Sequence, residues 1–262
     1  MRQVFGAQNP RIAELRRLIG RRSSRSETVV IEGPRTVREA LAAGFEPRTV
    51  VVPESHADDS AVGSVEARVG ADVEWLVVRD HVFEKLAPSA TPQPMLALVP
   101  RPVGVLPGRL ADDAVVLVLV DVGDPGNVGT LIRAADAVAA TAVVVVGGAD
   151  PWGPKAVRSS AGSILRTPVI QYADPGDAVD ALRGAGARIV GTHVAGGEPH
   201  DGGVLEAPVA IVLGSEAHGL GDDVEVDAWC HIAMPGRTES LNVAMAGTLL
   251  LYEARREARA DD

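Results

Sequence analysis

Four polar, glycine-containing segments of this sequence could take part in chemistry, and each directly follows an apolar run. The first, residues 121–133, carries an amide and a guanidinium in Asn127 and Arg133. The other three are residues 191–197, residues 214–220 with Glu216, and residues 233–242 with Ser240 and Asn242. Backbone N–H and C=O groups in such loops suit a neutral or zwitterionic nucleoside better than a triphosphate.

Established cofactor motifs do not account for these loops. The glycines of the first segment are spaced G-x-x-G-x-x-G and not G-x-G-x-x-G, so a nicotinamide or flavin enzyme stays open only as an alternative. Neither lysine follows a Walker loop, Gly214-Ser215-Glu216 lacks the hydrolase elbow, and no H-E-x-x-H occurs. The six histidines are dispersed and Cys230 is the only cysteine, so we expect neither a metal site nor an intrachain disulfide.

The apolar runs that precede these loops predict a parallel sheet in the second half of the chain. A run that is apolar on both faces belongs to a sheet covered by helices on each side, and ligands of such sheets bind beyond the carboxyl ends of the strands. The predicted strands are residues 115–120, 142–146, 169–170, 188–190 and 209–213. The predicted helices are residues 127–139, 155–160, 177–183 and 242–259.

The first half alternates shorter elements, which predict a small, separate α/β unit. The predicted strands are residues 29–31, 49–52 and 75–78, and the predicted helices are residues 35–43 and 81–86. Six prolines between residues 88 and 107 end regular structure there, apart from one short strand at residues 95–99. We therefore place a linker near residues 100–111 and predict two domains, residues 1–104 and 105–262.

The charge distribution is asymmetric, although the composition is that of an ordinary globular protein. Of 262 residues, 46% are hydrophobic and 23% charged, and the net charge is −10; this composition excludes a disordered chain. Residues 1–26 hold seven arginines and one acid, Glu14, a local charge of +6 that leaves −16 for the remainder. This arm is either a basic contact surface on an acidic body or the solvated face of an amphipathic helix.

The sequence predicts a cytoplasmic protein. Its longest purely apolar run, residues 114–120, is far shorter than the roughly 20 residues that cross a bilayer. No apolar targeting segment follows Met1, and a single cysteine is typical of a reducing compartment.

The last predicted helix has an apolar circumference and no polar face. Between residues 243 and 252 only Thr248 is clearly polar, and such a helix must be buried on all sides. One side can pack on its own sheet, and we predict that the other contacts a second subunit, forming a homodimer. A central helix of a monomer is the alternative.

Three of the four loops, taken in order, resemble the motifs of a known enzyme family. The motifs are Asn127-Val-Gly-Thr-Leu-Ile-Arg133, then Leu213-Gly-Ser-Glu-Ala-His-Gly-Leu220, then Ile232-Ala-Met-Pro with Ser240-Leu-Asn-Val243 and Leu251-Tyr-Glu. Their order and spacing across residues 115–256 resemble the SpoU (TrmH-like) branch of the SPOUT RNA methyltransferases. Residues 8–15 and 30–41 look like the ribosomal-protein-like substrate-binding domain of that family.

This resemblance implies both a fold and a function. It implies a C-terminal parallel sheet with a deep trefoil knot, preceded by a small α/β substrate-binding domain. It further implies S-adenosylmethionine bound in the knot, a homodimer, and methylation of a ribose 2'-hydroxyl in ribosomal or transfer RNA, without a metal. An RNA- and S-adenosylmethionine-binding protein without turnover is the alternative, against which the intact motif residues count.

The resemblance also implies roles for five motif residues, and simpler structural roles stay open beside them. A guanidinium essentially never deprotonates in proteins. We therefore expect Arg133 to hold the RNA phosphate or ribose and to stabilise the developing 2'-alkoxide, although it could merely reach solvent. Glu216 would orient Asn127 or Arg133, or be a solvated turn acid. Asn127, Ser240 and Asn242 would line the catalytic pocket, and each is also a residue type that caps helices.

Two further groups of residues complete the expected site. The cofactor would be held mainly through backbone groups of Thr192, His193, Val194, Leu213, Gly214, Ser215, Gly219, Ile232, Met234 and Leu241. The expected contacts to RNA phosphates are Arg11, Arg16, Arg35, Arg38 and Arg158, with surface solvation as the alternative for each.

Overall fold

The computed structural model describes residues 4–20, 27–215, 217–221 and 224–260, and it divides the chain into two compact units. Unit 1 comprises Met1–Pro102 together with Trp152–Arg158, and unit 2 comprises Val103–Pro151 together with Ser159–Asp262. The sequence places a boundary after residue 104 but gives no sign that residues 152–158 belong with the first unit.

Unit 1 is built around a five-stranded mixed sheet with the strand order β1-β4-β3-β5-β2. All neighbours are parallel except β5, which runs antiparallel to β2 and β3. Two elements were not predicted, the two-residue strand β1 and the seven-residue helix α3, because both are too short to show an apolar period. The elements are β1 (Val4–Phe5), α1 (Pro10–Gly20), β2 (Thr28–Glu32), α2 (Pro34–Ala42), β3 (Thr49–Pro53), α3 (Ser60–Glu66), β4 (Glu74–Val78), α4 (Asp80–Leu86) and β5 (Leu96–Pro100).

The described part of the basic arm forms the amphipathic helix α1. Ile12 and Leu15 are fully buried against the sheet, whereas Arg16 and Arg17 are exposed. Arg11 is half-buried on the same helix, and the other four arginines of the arm lie outside the described residues. The arm therefore contains both of the features that the sequence left open, an amphipathic helix and an exposed basic face.

Unit 2 contains a seven-stranded, entirely parallel sheet with the strand order β10-β12-β9-β11-β6-β7-β8. The prediction of an α/β fold with a parallel sheet is confirmed. Strands β6, β7 and β11 are buried along their whole length, as their continuous apolar runs predict. The elements are β6 (Val115–Val120), α5 (Pro125–Ala137), β7 (Ala142–Val146), α6 (Pro154–Ser159, mostly in unit 1), β8 (Val169–Tyr172), α7 (Pro175–Gly184), β9 (Arg188–Thr192), β10 (Glu198–Pro199), β11 (Val209–Leu213), β12 (Ala228–His231) and α8 (Val243–Ala260).

Helix α8 packs along α5. Gly247 permits this contact, because a Cβ atom there would overlap the side chains of Leu131 and Leu213. Within the single chain the apolar circumference of α8 is not buried on all sides as expected. Met245, Leu249 and Tyr252 form an exposed stripe at helical spacing. None of the helices within the described ranges is long and apolar enough to cross a membrane.

Candidate active site

A cavity of about 600 Å³ lies at the carboxyl ends of β9, β11 and β12, closed on one side by the first turns of α8. The sheet order places these three strands side by side, so the loops that follow them meet at one edge. All ten residues predicted to hold the cofactor line this cavity. Ser240 and Asn242 of the predicted catalytic group line it as well.

The turn after β11 is closed by its own backbone. Ser215 N–H donates to the carbonyl oxygen of Gly219 at 3.0 Å, and Gly219 N–H donates back to Ser215 at 2.9 Å. Gly219 adopts a positive φ of 69°, a conformation that favours glycine. Gly214 is required by close approach, because a Cβ atom there would overlap the backbone of Gly219 and Leu220. The glycines therefore shape a tight wall of backbone groups.

The loop after β9 is held by the imidazole of His193. Its Nδ1 accepts hydrogen bonds from the N–H groups of Ala195 and Gly196, at 3.2 and 2.8 Å. In the neutral ring the proton must then reside on Nε2. The imidazole packs edge-to-face on Trp229, with ring centroids 6.1 Å apart, and both side chains line the cavity. Sequence reasoning did not single out Trp229, whose neighbours in sequence carry no motif.

Asn242 links the cavity to helix α5. Its Nδ2 donates a hydrogen bond to Oδ1 of Asn127 at 3.2 Å, while its Oδ1 accepts one from Ala244 N–H at 2.9 Å. Asn242 therefore caps α8 and contacts a second motif residue at the same time. The capping role considered for Asn127 is wrong, because α5 begins earlier and its N-cap is Asp124.

The other two predicted catalytic residues are placed less directly. Arg133 is exposed on α5 and is not part of the cavity wall. Within the described ranges, no hydrogen bond or ion pair engages its guanidinium, so the group is free to meet a ligand. Glu216 lies outside the described residues.

The arginines predicted to contact RNA differ in whether they form ion pairs with carboxylates of unit 1. Arg11 donates to both carboxylate oxygens of Glu74, at 2.9 Å and 3.0 Å from Nε, and pairs with Glu14. The hydrogen bonds from Arg11 lower the pKa of Glu74, against the opposing effect of burial. This pairing gives Arg11 a structural role and offsets charge that it would otherwise offer to RNA. Arg35 is exposed and pairs with half-buried Glu39, and Arg16 and Arg158 are exposed as well. The Nε of Arg38 is buried without a partner among the described residues.

Three of the six histidines line the cavity together, although they are dispersed in the sequence. His193, His218 and His231 follow or end three different strands, which is why their sequence spacing carries no signal. The described residues contain no group of three ligands that could hold a metal ion. Cys230 also lines the cavity, and burial raises the pKa of its thiol to about 11.

The chain belongs to the SpoU rRNA methylase family. The sequence profile of that family matches residues 114–252, and that of an MRM3-like substrate binding domain matches residues 9–97. The resemblance found in the sequence motifs is confirmed.

Relatives and solved structures extend this similarity to nearly the whole chain. The 23S rRNA (guanosine(2553)-2'-O)-methyltransferase RlmP of Bacillus subtilis (strain 168) is 30% identical to this chain, and the match covers 97% of this chain and 100% of that protein. A 23S rRNA (uridine(2479)-2'-O)-methyltransferase of Streptomyces viridochromogenes is 30% identical over 96% and 91%. The crystal structure of the SpoU methyltransferase AviRb from S. viridochromogenes in complex with AdoMet superposes with a TM-score of 0.86 at 29% identity, covering 95% and 98%. An AdoMet-bound rRNA methyltransferase from Sinorhizobium meliloti gives a TM-score of 0.83 at 29% identity, covering 97% and 98%.

Proposed function

We propose that this member of the SpoU family transfers a methyl group from S-adenosylmethionine to a ribose 2'-hydroxyl of RNA, and that its substrate is 23S ribosomal RNA. The observation that carries the proposal is the single cavity in which all ten predicted cofactor residues meet Ser240 and Asn242. The two relatives described above are named for 23S rRNA, which favours ribosomal over transfer RNA.

The cavity fits the cofactor. Its volume of about 600 Å³ lies within the roughly 300 to 1,000 Å³ typical of small-molecule sites. Backbone groups of the loops after β9, β11 and β12 would hold the adenosine, and the buried Nδ1 of His231, which has no partner among the described residues, offers a further polar contact. When bound, S-adenosylmethionine supplies an electrophilic methyl group.

The protein's main contribution is to align the 2'-oxygen with that methyl group. Such positioning can lower a barrier by roughly 7 to 11 kcal/mol. The hydrogen bond between Asn242 and Asn127 fixes the end of the cavity nearest α5. Arg133 would hold the RNA phosphate or ribose and stabilise the developing alkoxide, and Glu216 would orient Asn127 or Arg133.

We propose in addition that the C-terminal part of unit 2 forms a deep trefoil knot. True knots are rare, so the support comes from the family motifs. The order of the sheet is consistent with it, because β12 lies beyond β9 and the chain then returns through residues 232–242 to place α8 on β6 and β11. Mechanical pulling of the intact chain from both ends would test the knot. A knotted chain tightens and reaches a shorter extended length than an unknotted chain of the same number of residues.

We also propose a homodimer through α8. The stripe of Met245, Leu249 and Tyr252 is exposed at 63%, 47% and 56% in the single chain, which is unusual for three large apolar side chains on one helix. Light scattering should give a dimer mass for the wild type and a monomer mass for Leu249→Glu. A monomeric wild type at micromolar concentration would contradict the dimer.

RNA recognition is assigned to unit 1, whose residues 9–97 match the substrate-binding profile. We propose that residues 1–104 form the RNA-binding domain and residues 105–262 the methyl-transfer domain. We also propose that the protein acts in the cytoplasm, where ribosomal RNA would be modified.

The decisive test is mass mapping of ribose methylation in ribosomal and transfer RNA, with and without the gene, followed by in vitro methylation of the unmodified RNA. We expect one 2'-O-methyl mark on 23S rRNA to disappear without the gene and to be restored by the purified protein. Binding of both RNA and S-adenosylmethionine without any transfer would favour the alternative, a binding protein without turnover.

A further inference from the structure

Methylation of a 2'-hydroxyl releases one proton, and the cavity contains groups that differ in their ability to accept it. Arg133 cannot act as the acceptor, because a guanidinium stays protonated in proteins. Along the described part of the wall there is no carboxylate, and the ionisable side chains are His193, His218, His231 and Cys230.

Two of these four groups are unsuited to accept a proton. Cys230 is buried, and the raised pKa of its thiol keeps it protonated at neutral pH. His193 already uses Nδ1 to accept two backbone hydrogen bonds, so its other nitrogen is a donor in the neutral ring. A proton on Nδ1 would break both bonds and release the loop after β9.

His231 is hindered for a different reason. It lies within strand β12, and its Nδ1 is buried without a partner among the described residues. A charged imidazolium there would leave one N–H group desolvated and unpaired, which is costly. Because this Nδ1 is buried, it also has no direct contact with water to which it could return the proton.

His218 has none of these obstacles. Its side chain is exposed and lines the cavity, and within the described residues no hydrogen bond or ion pair engages the imidazole. The backbone fixes its position, because its N–H donates to the Oγ of Ser215 at 3.1 Å inside the turn closed by Ser215 and Gly219. In the sequence His218 lies two residues after Glu216, within the motif of residues 213–220 that the family resemblance assigns to the site.

We propose that His218 is the general base of the methyl transfer, a role that rests on the proposed function of the cavity. As the 2'-oxygen forms its bond to the methyl carbon, the carbon–sulfur bond breaks and sulfur keeps the electron pair. The hydroxyl proton passes to a ring nitrogen of His218. The products are a 2'-O-methyl ribose, S-adenosylhomocysteine and an imidazolium, which loses its proton to solvent.

The charged surroundings of His218 set the conditions for this step. Glu216 lies two residues before it in the sequence, and the loop at residues 232–242 carries the exposed side chains of Arg237 and Glu239. The neighbouring strands contribute His193 and His231. A positioned base typically contributes about 10²–10⁴-fold in rate.

The test is the variant His218→Gln in the full-length protein with 23S rRNA as substrate. We expect kcat to fall by at least ~100-fold, while the Kd of S-adenosylmethionine measured by calorimetry stays within about threefold of wild type, because the group acts on the hydroxyl proton and not on cofactor binding. The wild-type kcat should rise with pH through an inflection, because a base must be neutral to accept the proton, and this inflection should be absent in the variant. Added imidazole should partly restore the rate of His218→Ala.

A matched control is His81→Gln, which removes an exposed histidine from α4 of unit 1 and should leave rate and pH profile unchanged. The proposal is overturned if His218→Gln keeps a wild-type kcat, if its inflection persists, or if its loss of activity is fully explained by weaker cofactor binding. It is overturned as well if Glu216→Gln, and not His218→Gln, removes the inflection. Failure of the proposed function is a different outcome, in which the wild-type protein itself neither binds S-adenosylmethionine nor methylates RNA.

Discussion

The two units share an α/β architecture but differ in charge and in the kind of surface they offer a ligand. Residues 1–102 contain 14 basic and 13 acidic residues, whereas residues 103–262 contain 11 basic and 22 acidic residues. Two of those 11, Lys155 and Arg158, lie in the segment that belongs to unit 1. Because affinity for RNA rests on positive charge, unit 1 is suited to hold RNA. Unit 2 is suited to hold a small ligand with backbone groups.

The net charge of −10 is therefore a poor guide to the partner of this protein. An acidic unit 2 repels RNA phosphates from most of its surface. RNA should reach the cavity only where it is attracted by arginines that, like Arg133, have no ion-pair partner among the described residues.

The hydrogen bond between Asn242 and Asn127 should be essential for the chemistry of unit 2. In Asn242→Asp the side-chain oxygen can still cap α8, but the Nδ2 donor to Asn127 is lost. We expect a loss of at least ~100-fold in kcat, with a melting temperature close to wild type. Asn242→Ala should lose the activity and also about 1 kcal/mol of stability, because it removes the cap. A wild-type rate in Asn242→Asp would show that this contact has no catalytic role.

Arg133→Lys tests whether the exposed guanidinium of α5 acts through its shape or only through its charge. Lysine keeps the charge but loses the planar fork that can bind phosphate in two places. We expect kcat/KM to fall about 10-fold to 100-fold, which corresponds to a loss of about 1.4 to 2.7 kcal/mol of transition-state stabilisation. Near-normal turnover in steady-state assays would reject the fork argument.

Helix glycines should respond in opposite ways in the two units. Gly247→Val in α8 must displace Leu131 or Leu213, so we expect a loss of about 1–3 kcal/mol in the free energy of unfolding. Gly63 in α3 has open space around the position of a Cβ atom, so Gly63→Ala should stabilise unit 1 by about 0.5–1 kcal/mol. Denaturant unfolding of both variants measures the two effects, and a neutral Gly247→Val would contradict the close packing of α5 and α8.

Arg16 and Arg11 lie on the same helix but should contribute differently to RNA binding. Arg16 is exposed, whereas Arg11 is held by Glu74 and Glu14. Affinity for RNA falls as the salt concentration rises. If Arg16 neutralises one phosphate, Arg16→Ala should make the slope of log affinity against log salt less steep by about 0.7 to 0.9. Arg11→Ala should leave this slope unchanged and lower the stability of unit 1 instead. Filter-binding titrations at several salt concentrations separate the two, and identical slopes for all three proteins would remove Arg16 from the RNA contact.

Acid should weaken each unit through one paired carboxylate. The pKa of Glu74 is lowered mainly by hydrogen bonds from Arg11, and that of Asp227 mainly by the backbone N–H of Ile189 and then by Arg183. A carboxyl whose pKa is lowered by folding contributes stability that is fully present above its unfolded-state pKa, near pH 4. That stability is lost as the pH falls through its folded-state pKa. Because both side chains are more than one-third exposed, we expect Glu74→Gln and Asp227→Asn each to cost no more than about 1 kcal/mol at pH 7. Unfolding measured at pH 7 and at pH 3 should show a smaller cost at pH 3 than at pH 7.

The sequence predicts the sheet of unit 2 better than the placement of its catalytic groups. Strands such as Val115–Val120 are apolar on both faces, and this pattern has few other interpretations. The cofactor loops are predictable for the same reason, since they follow those strands. The gathering of His193, His218 and His231 is not predictable from spacing, because it depends on β9, β11 and β12 being neighbours in the sheet.

Other features depend on geometry that a sequence does not display. The N-cap of α5 is Asp124 and not Asn127, because Pro125 starts the helix two residues before the motif asparagine. Arg11 looks like a free cation in the sequence, and only the pairing of α1 with β4 brings Glu74 to it. The exposed stripe on α8 shows that an apolar circumference in the sequence does not establish burial of every face within the chain.

Calorimetric titration of S-adenosylmethionine into the purified protein probes the cavity of unit 2 without RNA. We expect one binding site per chain. Binding should be lost in Gly214→Val, where a side chain would overlap the turn at Gly219, and retained in Gly63→Ala. No heat of binding to the wild type, or binding that persists in a folded Gly214→Val, would contradict the assignment of this cavity to the methyl donor.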